Sequence, residues 1–102
     1  MKADIGGGEV VDRPDKSRFE LPVGGAVAIA EYRRDGERIT LVHTEVPEEL
    51  SGQGIGSRLA QGVFEALRAS GRRAAVQCEF MQGYAKRHPE YADVIESPAA
   101  KP

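Results

Sequence analysis

The spacing of apolar and polar positions changes character halfway along the chain. Phe19, Leu21 and Val23 alternate with other residues, which predicts a first strand. Gly24 and Gly25 mark a turn. Residues 26–33 read as a second strand, with Val27 and Ile29 on one face and Tyr32 on the other. Asp35 followed by Gly36 is a strong hairpin signal between two extended runs. Residues 37–46 form the third strand. Its alternation puts Ile39, Leu41, His43 and Glu45 on one face, and Thr40, Val42, Thr44 and Val46 on the other. The first half therefore reads as an antiparallel meander.

After a loop over 47–54 the period becomes helical. Ile55, Leu59, Ala60, Val63, Phe64 and Leu67 fall on one stripe, while Arg58, Gln61, Glu65 and Arg68 face away. Ser70 and Gly71 end this helix. Residues 74–78 form a short apolar strand. Strand, helix and strand in succession imply a right-handed crossover, so this strand runs parallel to the third. A shorter helix covers 80–87 and stops before Pro89, because the residue preceding a proline disfavours the helical region. Residues 91–95 make a last strand or turn. The expected fold class is α/β, in the α+β sense: an antiparallel meander, one parallel crossover step, one long helix and one short one. Residues 1–16 lack any period and are expected to be a flexible segment. The domain then spans 17–96, and 97–102 is a flexible tail.

Composition narrows the class. A chain of 102 residues with 40% hydrophobic residues is one domain, and six aromatic residues without Trp limit the core to a modest size. A net charge of −2 argues against a nucleic-acid partner. Residues 51–90 nevertheless carry six Lys or Arg against three Glu. That excess could attract a small polyanion, although solvated helix faces account for it more simply. A single Cys cannot form an internal disulfide and suits a reducing compartment. No apolar run approaches the roughly 20 residues of a membrane span, and the N-terminus lacks the apolar core of a signal peptide. The expectation is a cytoplasmic protein that binds neither membrane nor nucleic acid.

Chemistry concentrates in residues 41–73. Three alternate glycines, Gly52, Gly54 and Gly56, lead into the long helix, whose free N–H groups can bind an anion. A P-loop would need a Gly-Lys pair, and the chain has none. A G-x-G-x-x-G fingerprint fails at Leu59 when begun at Gly54, and at Ser57 when begun at Gly52. Gly54, Ile55 and Gly56, opening a helix after a strand that ends in Val46, resemble the acetyl-CoA pyrophosphate loop of the GNAT superfamily, Arg/Gln-x-x-Gly-x-Gly/Ala. Ser51 stands where that superfamily has Arg or Gln. The string RRDGERITLVHTEVPEELSGQGIGSRL, followed by a Cys-containing strand and YAKRHPEYADV, is similar to a small single-domain GNAT-like subfamily. The resemblance covers residues 17–96.

That resemblance implies acetyl-CoA as acetyl donor and an amine as acceptor, either a small molecule or a protein. It implies two splayed strands with the pantetheine arm between them, Glu45 and Val46 offering backbone contacts. Gly52, Gln53, Gly54, Ile55, Gly56 and Ser57 would hold the pyrophosphate. Cys78 reads either as a nucleophile that takes the acetyl group or as a small buried packing residue. His43 reads either as a hydrogen-bonded core residue or as a general base, with Glu45 orienting it or acting through water. Tyr84 reads either as a packed ring or, by the resemblance, as the acid for the leaving thiolate. Lys86, Arg87 and His88 fit a solvated last helical turn. Two separated His and one Cys do not make a metal ligand set. The expected state is a monomer or weak homodimer. An acyl-CoA-binding module with little catalysis, and a plain interaction domain, remain as alternatives.

Overall fold

The computed structural model of the chain describes residues 9–36 and 38–96. The expected flexible stretches at 1–8 and 97–102 lie outside the described residues. Residues 11–16, placed by the sequence in the same flexible segment, instead form strand β1 (Val11–Arg13) and a 3₁₀ turn (Pro14–Lys16). β1 pairs antiparallel with β2 (Arg18–Val23), and the Tyr32 hydroxyl donates a 2.6 Å hydrogen bond to the Asp12 carboxylate. A three-residue strand is too short to show a period, so tertiary contacts alone reveal it.

β2 pairs with β3 (Ala26–Asp35), and β3 with β4 (Arg38–Glu45), as the expected meander. Asp35 belongs to β3 and pairs with Arg38 of β4, and Gly36 lies in the left-handed region at φ +67°. Helix α1 (Ile55–Ala69) then crosses to β5 (Ala74–Val76), which lies parallel to β4. β5 is two residues shorter than expected. Helix α2 (Glu79–Arg87) and a 3₁₀ turn (Pro89–Val94) lead to β6 (Ile95–Glu96), parallel to β5. Sheet order equals chain order, β1 to β6. There are thus two parallel steps where the sequence suggested one.

One face of the sheet is buried by Phe19, Leu21, Ala28, Ala30, Tyr32 and Leu41. All six residues of the α1 stripe lie buried against it, as their spacing predicted. α2 adds Met81 and Tyr84. Phe64 of α1 stacks on Tyr84 at 6.0 Å and on Tyr91 at 5.4 Å, which ties both helices and the last 3₁₀ turn into one layer. Arg68 lies over the Tyr91 ring at 5.1 Å and pairs with Asp93 at 2.6 Å, closing the outside of that cluster. The opposite sheet face carries Glu20, Val27, Ile29, Glu31 and Arg33, and no helix covers it among the described residues.

The β3–β4 register steps from Tyr32↔Leu41 to Glu31↔His43, so Val42 is an extra residue on β4. The alternation expected for residues 39–46 therefore breaks there. Ile39 and Leu41 are buried, but the His43 and Glu45 side chains are 55% and 66% exposed. A one-residue insertion flips every side chain after it to the other face. Thr44, not His43, takes the inner side.

Two tyrosines should make the fold alkali-sensitive. Burial first, then the Asp12 bond, pushes the Tyr32 hydroxyl from 10.0 up to about 12. The hydrogen bond to Glu65, then burial, takes Tyr91 to about 12 as well. A raised tyrosine pKa favours the neutral form in the fold. Its stabilisation is complete below pH 10.0 and is lost as pH rises through about 12. Urea unfolding across that window should show falling stability, with a shallower fall in Tyr32→Phe. Equal slopes for the two proteins would mean that the Tyr32 bond is not coupled to folding.

Candidate functional site

The Leu41 carbonyl accepts two N–H groups, Gln77 at 2.9 Å and Cys78 at 3.1 Å. The β4–β5 ladder ends there, at Leu41↔Val76, while β4 continues to Glu45. The two strands part. Cys78 sits at the opening as the N-cap of α2, rather than inside a strand as the sequence suggested. Its side chain is buried, and Sγ lies 3.1 Å from Thr44 Oγ1. Thr44 is a residue that sequence reasoning missed. Its expected parity set it with Val42 and Val46, and nothing in the sequence marks the bulge that turns it inward.

Past Val46 the chain makes a 3₁₀ turn (Glu48–Leu50) anchored by buried Leu50. Ser51 Oγ donates to the Glu48 carbonyl at 2.9 Å, and Gln53 Nε2 donates to the Glu49 carbonyl at 3.3 Å. Gly52 and Gly54 have φ of +79° and +74°, which only glycine adopts without strain. Gly54 is the N-cap of α1 and offers no side-chain cap. The first helical bond runs from Arg58 N–H to the Gly54 carbonyl at 3.1 Å, which leaves the N–H groups of Ile55, Gly56 and Ser57 without an intrahelical acceptor.

Gly56 has no positive φ and lies against the tip of the Phe80 ring. A Cβ there would lie 2.7 Å from Phe80 Cζ. Backbone conformation thus favours glycine at residues 52 and 54, and a neighbouring ring lies against residue 56. Val46, Leu50, Ser51, Gly52, Gly54, Ile55, Gly56, Ser57 and Phe80 line a cleft of roughly 260 Å³. Gln53, expected among the anion-holding residues, is not on that lining and folds back onto the 3₁₀ turn. No charged side chain lines the cleft. Arg58, on the first turn of α1, instead borders a separate depression with Glu9 and Glu65.

The four catalytic candidates do not converge. Thr44 meets Cys78, so its strand neighbours His43 and Glu45 point to the opposite face. There, His43 Nε2 lies 3.8 Å from Glu45 Oε1. Tyr84 stands six residues along α2 from Cys78, roughly 9 Å along the helix axis. It is buried, stacked on Phe64 at 6.0 Å and on His88 at 4.1 Å. Burial raises its pKa, with smaller upward contributions from Glu90 and Glu65 and a downward one from Arg87. His88 Nδ1 is 3.3 Å from Glu90 Oε2, so this stretch is a structural turn.

Taken together, the cleft offers unpaired backbone donors at its mouth and an apolar wall. The parted strands offer a free backbone edge on β4 leading toward Thr44 and Cys78. An anion joined to an extended, amide-bearing arm is the ligand shape these features accept.

Residues 18–94 match the GCN5-related N-acetyl-transferase family. Among curated proteins the chain is similar to Protein NATD1 of Mus musculus, 32% identical over 88 residues, covering 81% of this chain and 80% of that protein. It is similar to Protein NATD1 of Homo sapiens at 35% over 63 residues, 61% of this chain and 56% of that one. The chain thus spans between 56% and 80% of the length of these relatives. Among solved structures it is similar to a GCN5-like protein from Staphylococcus aureus determined by NMR, with 27% identity and a TM-score of 0.65, covering 91% of this chain and 92% of that one. The family match runs from the start of β2 to the end of the last 3₁₀ turn, across both the parted strands and the glycine loop, and the chain belongs to the GCN5-related N-acetyltransferase family.

Proposed function

We propose that the chain transfers an acetyl group from acetyl-CoA to an amine, on a small molecule or a protein. The observation that carries this reading is the uncapped N-terminus of α1 at the mouth of the parted β4 and β5. The residues present fit the donor. The N–H groups of Ile55, Gly56 and Ser57, at the positive end of the helix dipole, would hold its pyrophosphate, with Val46, Gly52 and Gly54 shaping the cleft. The free edge of β4 would pair with the amides of its arm. The thioester supplies an activated acetyl group.

The transfer is a direct displacement. A neutral amine forms the new C–N bond to the acetyl carbon, the C–S bond breaks, and the sulfur leaves as thiolate. The thiolate then takes a proton from solvent. The amine's proton goes to a base on the side from which the amine arrives. His43 and Glu45, 3.8 Å apart on the open sheet face, are the groups available for this, directly or through one water. A relay through Cys78 has less support. Among the described residues the Sγ atom meets the Thr44 hydroxyl, and no imidazole or carboxylate lies with it to generate a thiolate. A second reading, an acyl-CoA-binding module with little turnover, is favoured by the uncharged cleft and by the exposure of the His43–Glu45 pair. A single cysteine, which cannot form an internal disulfide, is in keeping with a cytoplasmic setting.

Calorimetry should show saturable binding of acetyl-CoA and of CoA, and CoA release in the presence of an amine panel should separate enzyme from module. Gly54→Val should lose at least tenfold in CoA affinity. Gly71→Val is the matched control, because Gly71 has φ +73° and open space around it at the far end of α1. It should carry a similar backbone cost of about 1–2 kcal/mol and bind CoA normally. Absence of binding at millimolar CoA would sink both the enzyme and the module.

Ser51→Arg restores the basic side chain of the superfamily loop. A charge-assisted bond to phosphate is worth about 1.5–3 kcal/mol, less where exposed, so CoA should bind about five- to tenfold tighter at low salt. An unchanged affinity would place the pyrophosphate elsewhere. For the chemical step, Cys78→Ala should retain acetyl transfer, and intact mass after acetyl-CoA should show no acetyl on the wild-type protein. Acetyl mass that disappears in Cys78→Ala would establish the relay instead.

A further inference from the structure

We propose that the Phe80 ring is a ligand contact, the wall against which the organic arm of a CoA thioester lies when its pyrophosphate occupies the first turn of α1. This rests on the acetyl-CoA reading above.

Phe80 differs from the other two phenylalanines. Phe19 and Phe64 are 1% and 0% exposed, whereas Phe80 is 41% exposed. It is also off the packing side of its own helix, where Met81 and Tyr84 are the buried residues. α2 therefore does not need this ring for its core contacts.

The ring nonetheless has a built seat. Gly56 is the second residue of α1 and has no positive φ, so its backbone does not require glycine. Any Cβ at this position would approach Phe80 to 2.7 Å at Cζ and 3.3 Å at Cε1. The exposed Phe80 ring therefore lies directly over a residue that has no side chain.

That contact borders the cleft of the unpaired N–H groups. Phe80 is also two residues beyond Cys78, on the α2 side of the parted strands. An arm running from the cleft toward Thr44 and Cys78 passes the ring. A bare phosphate would use the N–H groups alone. A ligand that also has an apolar or amide-bearing arm gains the ring, because covering it removes exposed aromatic surface from water. The cleft is thereby selective for an anion with an organic arm over a simple anion.

The chain contains no tryptophan, so Phe80→Trp installs a single fluorophore at the proposed contact. CoA should change its emission saturably, and inorganic pyrophosphate should not. Calorimetry of Phe80→Ala should show about tenfold weaker CoA binding, an unchanged ability of pyrophosphate to compete, and a melting temperature near wild type. If the indole does not fit the Gly56 seat, the alanine variant decides. Wild-type protein that binds CoA alongside Phe80→Ala of equal affinity overturns this proposal alone. A Phe80→Ala variant that loses CoA and pyrophosphate binding equally also overturns it, since the ring would then act by shaping the loop. Wild-type protein that binds no CoA overturns the acetyl-CoA reading and this one with it.

Discussion

The carbonyl oxygen of Leu41 takes the N–H groups of Gln77 and Cys78 together, and the rest of the site depends on that shared acceptor. After Val76 the chain must turn so that Cys78 can cap α2, so β5 has no further residues to offer β4. The next residue of β4, Val42, is the bulge. A bulge increases local twist and bends its strand, so the two strands diverge where their last shared bond ends. Backbone groups of β4 beyond this point lie within the sheet yet lack a strand partner on the β5 side. Unpaired backbone groups in such a place are costly unless water or a ligand meets them. The gap is thus a consequence of hydrogen-bond geometry, and α1, crossing from one side of it to the other, delivers its uncapped N-terminus to the mouth.

Much of this frame is legible in the sequence, and what is not has an identifiable cause. The stripe from Ile55 to Leu67 predicts the buried side of α1 because a long helix repeats its period often enough to be read. The glycine loop is legible because positive φ has few alternatives to glycine, as at Gly54. The bulge at Val42 is not, since Thr40, Val42 and Thr44 are all β-branched and suit either face of a strand. That one hidden residue misplaces His43 and hides Thr44. β1 is too short to carry a pattern. Phe80 and Gly56 are far apart in the chain and on different helices, so no local rule links them. Tyr84 was readable in both senses, and its ring packs in the aromatic stack.

On the proposed reading, the cleft would attract an anion without a charge of its own. Its walls are backbone, two serines and apolar side chains, while Glu48 and Glu49 sit on the turn before it. Arg58 is near in sequence but borders a different depression. What remains is a helix terminus worth about half a charge, whose influence fades within the first turn. Such a site has little long-range pull. Its selectivity must come from close fit, meaning directed N–H groups for the phosphates and apolar contact for whatever is attached to them. On that reading an exposed ring over a residue without a side chain matters more here than it would beside an arginine.

The same bulge decides which chemistry the fold favours. With no extra residue at Val42, His43 would follow Leu41 onto the inner face and stand toward Cys78, and imidazole and thiol would share one pocket. Thiolate generation and an acyl-enzyme relay would then have the partners they need. With the extra residue, Thr44 meets the thiol instead, and a hydroxyl of ordinary acidity does not deprotonate a cysteine. The imidazole moves to the open face with Glu45, where an amine from solution can reach it. In the proposed transfer, strand β4 would separate the two reactants' sides, with the donor's arm along its inner edge and the His43–Glu45 pair on its outer face. A base held on the acceptor's side and kept from the thiol supports direct transfer, because that arrangement serves the attacking amine and no other nucleophile in the site.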